Sequence, residues 1–176
     1  TLEEAGYALN GEYYEKDGKV LTVKFTQIQG VPVSENEAKQ FQAQLKQVGI
    51  KVDIVDATQE NWIDKLSSHE FEVFAFSWIG TAFPYQFKQI YGTDQESNFG
   101  QLSVPEIDKL ADEVDVTTDK AKRTDLANQA AQLIWENVGT LPLYQRPTIV
   151  ATKKTVANYG AFGLESIKWE NVGFTG

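Results

Sequence analysis

The chain carries one histidine, His69, and no cysteine. Any Ser–His–Asp relay would have to run through His69, and a two-histidine metal motif is excluded. Disulfides, thiol nucleophiles and cysteine-ligated metals are excluded with it. His69 stands in Ser67-Ser68-His69-Glu70, a polar run that reads as a surface loop. Asp112, Glu113, Asp115 and Asp119 lie close together, but the spacing is not that of a calcium loop and the loop glycine is missing; they read as solvated helix ends. No glycine-rich loop leads into Lys-Ser/Thr, as a phosphate cradle requires. The 25 Asp and Glu leave a hydrolase built on a carboxylate pair open as an alternative, although nothing singles out a pair. What stands out is aromatic. Trp78, Phe83, Tyr85, Phe87 and Tyr91 gather around a break that follows an apolar run. Rings at the C-terminal end of a strand in an α/β sheet cover an organic ligand with little loss of rotamer entropy. The competing reading is that these rings are core.

Such rings need a frame. Residues 20–28 alternate, with Val20, Thr22, Lys24 and Thr26 on one face and Leu21, Val23, Phe25 and Gln27 on the other, which predicts a strand. Ser34 and Glu37 form a capping box, and Ala38, Phe41, Leu45 and Val48 follow at helical spacing up to a stop at Gly49. Residues 50–55 read as a second strand. Strand, helix and strand in that order build a parallel pair with a crossover. A short helix carries Trp62, Ile63 and Leu66. Residues 71–78 form the most apolar strand and are expected at the sheet centre. Residues 80–84 break it, and residues 86–91 read as a short helix. Ser103 and Glu106 form a second capping box with Pro105 in the first turn, and Ile107, Leu110, Ala111 and Val114 make the inner face. A further helix begins near Thr118, with Leu126, Ala130, Leu133 and Ile134 as its apolar stripe and Gly139 as its stop. Residues 141–151 return as an extended segment bent by Pro142 and Pro147. Residues 1–6 read as the last turns of a helix closed by Gly6, residues 7–18 as a loop ending in Asp17-Gly18, and the aromatic tail from about 160 shows no clear period. The class is α/β, a mixed sheet flanked by helices.

With 41% hydrophobic and 12% aromatic residues, 176 residues suffice for a real core. A net charge of −9 repels nucleic acid and anionic lipid. No apolar run reaches the roughly 18 residues of a membrane span. The longest, residues 71–79, is interrupted by Glu72 and Ser77. The chain begins at Thr1 and holds no methionine, which reads as a fragment of something longer.

The motifs also follow a familiar order. Leu2-Glu3-Glu4-Ala5-Gly6-Tyr7 is followed by a helix running through Gln42-x-x-Leu45-x-x-Val48-Gly49-Ile50-x-Val52. Trp62-x-x-x-Leu66 leads to Phe71-Glu72, then Trp78-Ile79-Gly80, Asn98-Phe99, Ile107-Asp108-Lys109-Leu110, Arg123-x-x-Leu126 and Leu141-Pro142-Leu143-Tyr144. This series resembles the peptide-binding class of ABC-importer solute-binding proteins, which includes dipeptide, oligopeptide and nickel binders. The resemblance implies one lobe (domain III-like) of a two-lobe fold of the periplasmic-binding-protein type. Residues 1–160 would be the C-terminal ligand-binding lobe, and residues 161–176 a tail returning to an N-terminal lobe outside this sequence. It implies a capture subunit and not an enzyme, with no cofactor or metal, taking a peptide or related small solute and serving ABC permease subunits. Its place would be extracytoplasmic, lipid-anchored through the missing N-terminus. By the same resemblance the cleft wall would consist of Trp78 and Phe83 as stacking surfaces, the Thr81 hydroxyl, the Tyr144 phenol and the Arg146 guanidinium. One departure stands out. Peptide-binding members carry an Asp shortly after the cleft Trp, paired with the peptide's α-amino group; Thr81 occupies that position. A hydroxyl cannot replace a charge-assisted bond, so the ammonium would be met elsewhere or the ligand would not be a free peptide. Beside the hydrolase, a module that keeps the fold and has lost its ligand is the other alternative.

Overall fold

The computed structural model describes residues 1–79, 86–163 and 165–175. Contacts divide the chain into two compact units, Thr1–Thr140 and Leu141–Gly176.

The first unit does not open on a helix. Residues 2–6 form turns, followed by an antiparallel meander of β1 (Ala8–Asn10), β2 (Tyr13–Lys16) and β3 (Lys19–Val20). The stretch expected to be loop is therefore largely strand. Asp17 and Gly18, both at positive φ (53° and 72°), form the two-residue turn between Lys16 and its partner Lys19. That geometry matches the twist of a hairpin. The strands beside it are too short and too exposed to show an apolar alternation, so the turn was the only part visible in sequence.

The main sheet is parallel. β4 (Thr22–Ile28) passes into α1 (Pro32–Gln47) and returns as β5 (Lys51–Ala57), paired from Thr22↔Lys51 to Ile28↔Ala57. Phe25, Ala38 and Val52 are buried between helix and sheet, with Phe41, Leu45 and Ile54 packed around them. The Phe25 and Phe41 rings sit 4.8 Å apart. α1 does not start from the Ser34 capping box. It starts three residues earlier, with Val31 at the N-cap and Pro32 in the first turn, where a missing N–H is harmless. Ser34 Oγ instead accepts from the Ile28 N–H (2.9 Å) and Glu35 accepts from the Gly30 N–H (2.9 Å), tying the β4–α1 turn together. Gly49 ends the helix at φ 76°, and a Cβ there would lie 2.9 Å from the Tyr14 ring of the meander.

α2 (Trp62–Ser67), anchored by buried Leu66, leads to β6 (Val73–Phe74). The sheet order is β5-β4-β6, so β4 is central and residues 71–78 are not. Only Phe25↔Val73 and Thr26↔Phe74 are paired. A strand is central when both its edges are bonded, and apolar character does not decide that. The apolar side chains of residues 71–78 divide between the core around Phe25, where Val73 and Ala75 pack, and one another, as in Phe71–Phe74 and Phe76–Trp78.

α3 (Phe87–Tyr91), α4 (Pro105–Val116) and α5 (Lys120–Glu136) complete the unit. α4 begins at Pro105 after an N-cap at Val104, so the second capping box, like the first, gives way to a proline start. Asp119 caps α5 by accepting from the Lys122 N–H at 2.8 Å. Leu110, Val114, Leu126 and Ala130 join α4 to α5; Leu102, Ile107 and Ile134 form a neighbouring cluster that takes in Phe87 and Tyr91. In the second unit residues 141–151 lie outside any described strand, β7 (Val156–Ala157) pairs antiparallel with β8 (Gly173–Phe174), and Tyr159 stacks on Trp169 at 5.9 Å.

The end of α5 carries a local conflict. The N–H groups of Val138 and Gly139 close on the carbonyls of Trp135 (3.1 Å) and Ile134 (3.3 Å), the pattern that puts a left-handed residue just after a helix. That residue is Val138, φ 54°, a β-branched side chain left 82% exposed. Glycine would be usual there, but the glycine falls one position later because a Cβ on Gly139 would meet Leu102 at 2.4 Å. Val138→Gly is therefore expected to raise stability by about 1 kcal/mol. Gly100→Ala, whose Cβ would meet the Gly139 carbonyl oxygen at 2.4 Å, is expected to lose about 1–3 kcal/mol. Urea denaturation of the two variants against the parent reads both.

Candidate functional site

Four residues past the end of β6, on its C-terminal side, stands Trp78. Its indole is 45% exposed. It stacks on Phe99 with ring centroids 5.8 Å apart and planes within 2°, and meets Phe76 edge-on at 5.3 Å and 74°. Phe76 and Phe99 close the triangle at 5.7 Å and 73°. Offset-parallel and edge-to-face contacts are the arrangements that ring quadrupoles favour. The result is a three-ring shelf whose outermost member is partly open to solvent.

Phe99 reaches the shelf from the loop between α3 and α4, and the loop is held from several sides. Asn98 is 7% exposed. Its Nδ2 donates to the carbonyls of Gly92 (3.0 Å) and Leu102 (2.7 Å), and its Oδ1 accepts from the Leu102 N–H (3.0 Å). At the start of the loop the Thr93 N–H and hydroxyl donate to the Asp108 carboxylate at 2.7 and 2.6 Å, which fixes it to α4. At its end Gly100 lies against the Gly139 backbone past α5.

Beside the shelf lies a shallow depression of about 300 Å³, lined by His69, Phe71, Glu72, Phe99, Gln101 and Val138 among others. His69 follows α2 at φ 57°, with the Glu70 N–H closing on the Lys65 carbonyl at 3.0 Å; it is an exposed helix terminator, as its polar run suggested. Glu72 accepts from the Lys24 N–H at 2.7 Å and faces the Lys24 ammonium at 4.0 Å. Titration is shifted at a few surface contacts away from the shelf. The Glu12 carboxylate holds the Lys46 ammonium up, Asp112 holds the Lys88 ammonium up, and the Thr58 hydroxyl holds the Glu60 carboxyl down. Burial pushes the Tyr91 phenol up. Among the described residues no three His, Asp or Glu gather as a metal would require.

Of the residues singled out in sequence, Trp78 is the one the first unit places on the shelf. Thr81 and Phe83 lie outside the described residues, as does Tyr85. Tyr144 and Arg146 are exposed in the second unit, in a stretch outside any described helix or strand. Phe87 and Tyr91, offered as either ligand rings or core, pack into the cluster of Leu102, Ile107 and Ile134. Phe76 was not singled out, and Phe99 entered only with Asn98 as one motif of the series, without a role at the site. The spacing of Phe76 and Trp78, two apart in extended chain, could have found the first. Phe99 is 21 residues from Trp78 and no local pattern joins them.

In open α/β sheets ligands commonly bind beyond the carboxyl ends of the strands, the side on which this aromatic shelf stands. The family model of bacterial extracellular solute-binding proteins, family 5 (middle region), matches residues 1–100, and the chain belongs to that family. The oligopeptide-binding protein OppA of Mycobacterium tuberculosis strain H37Rv is 34% identical over 98% of this chain and 29% of its own length. Among solved structures, the oligopeptide-binding protein AppA of Bacillus subtilis, in complex with a nonapeptide, is 26% identical with a TM-score of 0.68, over 78% of this chain and 29% of that one. NikA of Brucella suis, in complex with Fe(III)-EDTA, is 25% identical with a TM-score of 0.65, over 77% of this chain and 28% of that one. The chain thus spans less than a third of the length of these relatives, which are two-lobe binding proteins. Among the described residues no helix is long and apolar enough to cross a membrane.

Because Trp78 is partly exposed and held mainly by two ring contacts, Trp78→Ala is expected to lower stability by about 1.5 kcal/mol at most, below the roughly 3–5 kcal/mol of a buried aromatic. Denaturant titration measures the difference, with Phe25→Ala as the buried comparison.

Proposed function

We propose that this chain is the C-terminal lobe of a longer extracytoplasmic binding protein that captures peptides, or a related small solute, for an ABC importer. The observation that carries the reading is the half-open Trp78 indole beyond β6, set in a chain similar to OppA over 98% of its length. In such a protein the ligand enters between two lobes and a hinge closes over it. This lobe supplies one wall, and the tail from residue 161 returns to the other lobe. The shelf offers apolar area that tolerates many side chains, while the phenol of Tyr144 and the guanidinium of Arg146 offer polar contacts, the latter suited to a carboxylate. Thr81 and Phe83, outside the described residues, are assigned to this wall by the resemblance of the sequence alone. Closure creates a surface for the permease subunits, and a lipid anchor at the distant N-terminus keeps the protein at the membrane. The relatives bind their ligands, and this reading assigns no reaction.

The test is calorimetry on the complete two-lobe protein with peptides of three to nine residues and, in parallel, a nickel–histidine complex. Peptide binding that Trp78→Ala weakens by tenfold or more is the expected result. No heat and no thermal shift with any of these would overturn the reading. With Thr81 in place of a carboxylate, N-acetylation of a bound peptide is expected to change its affinity by less than about threefold. Thr81→Asp is expected to favour the free-amino form over the acetylated one, since a charged acceptor roughly doubles the strength of such a bond.

A further inference from the structure

We propose that Asn98 is a positioning residue for ligand capture, acting through Phe99 to hold the Trp78 indole flat and outward. The inference rests on the reading of Trp78 as a ligand surface. An indole that is 45% exposed is only partly enclosed, and among the described residues it packs on the rings of Phe76 and Phe99. Of these, Phe99 lies parallel to the indole within 2° and sets the plane in which it rests. Phe99 in turn has no regular element beneath it; it sits in a loop between α3 and α4. Its backbone is placed by the adjacent Asn98, whose side chain spans the loop from Gly92 to Leu102 through bonds of 2.7–3.0 Å. An amide both donates and accepts, and all three of these bonds need that combination. Shielded from water, they cannot be replaced by solvent when the side chain is lost. Holding the ring before the ligand arrives removes an ordering cost from binding.

The prediction separates orientation from stability. In the complete protein labelled with 5-fluorotryptophan, the Trp78 resonance is assigned by its loss in Trp78→Phe. Without any ligand, Asn98→Ala is expected to broaden or shift that resonance while leaving those of Trp62 and Trp169 in place. Peptides that bind the parent are expected to bind Asn98→Ala roughly three- to tenfold more weakly, the effect of re-immobilising one or two rings. Asn98→Asp keeps the acceptor for the Leu102 N–H but turns a carboxylate oxygen on the Gly92 and Leu102 carbonyls, so it should disturb the resonance and the affinity at least as much as Asn98→Ala. Leu126→Ala, in the α4–α5 core, serves as the control of lowered stability. It should lose stability while keeping both the resonance and the affinity. An unmoved Trp78 resonance in Asn98→Ala would overturn the proposal, as would an equal affinity loss in Asn98→Ala and Leu126→Ala. If the parent binds no peptide, the transport reading falls alone, because the ligand-free spectrum still decides the role of Asn98. Should Asn98→Ala fail to fold, Phe99→Leu tests the same link by removing the ring and leaving the clasp.

Discussion

The first unit depends on one strand bonded along both edges. β4 pairs over seven residues with β5 on one side and over two with β6 on the other, all in parallel. Parallel strands cannot be joined by a tight turn, so the chain must leave the sheet and return across a face. α1 is that return, and its burial of Ala38 against Phe25 and Val52 makes the crossover a core. The short ladder to β6 matters for a different reason. After two paired residues the chain is released, still extended, and carries Phe76 and Trp78 beyond the sheet. The sheet therefore fixes where the aromatic shelf begins, and the loop before α4 fixes where it ends.

Two small residues and one amide hold that far end. Gly100 and Gly139 let the loop and the end of α5 touch backbone to backbone, and Asn98 bonds the loop to itself. The demand is stringent enough to displace the usual glycine from the left-handed position after α5, where Val138 sits instead. A strained exposed valine beside a close glycine contact shows which of two local preferences prevails: close approach of backbones outranks the comfort of one side chain.

Elements with a period were legible in sequence: β4, α1, β5, α4 and α5 fall where alternation and helical spacing put them. What failed was tied to competition or to length. Both capping boxes gave way to a start on proline, the N-cap moving three residues back to Val31 in one helix and one residue on to Val104 in the other, since a preset φ and a missing N–H suit the first turn as well as a hydroxyl does. Ser34 was then free to bond back to β4. The meander was invisible because strands of two to four exposed residues carry no pattern. The centre of the sheet was misassigned because apolarity reports burial, and the rings of residues 71–78 pack partly on each other. At the site, the chemistry of Trp78 was visible, while its support was not. Phe99 and Asn98 act across distances in the chain that only the folded loop closes.

β5 closes the sheet on the side away from β6 and, among the described residues, is bonded along one edge only. A seven-residue strand with a bare edge is a template onto which a neighbouring molecule could add its own strand. Here the exposed positions are acidic: Asp53 is held by Lys51 at 3.0 Å, and Asp56 takes the Gln27 amide at 2.7 Å. An identical strand arriving alongside would bring its own aspartates with it. Among the described residues this open edge thus carries charge that discourages fibril-like growth.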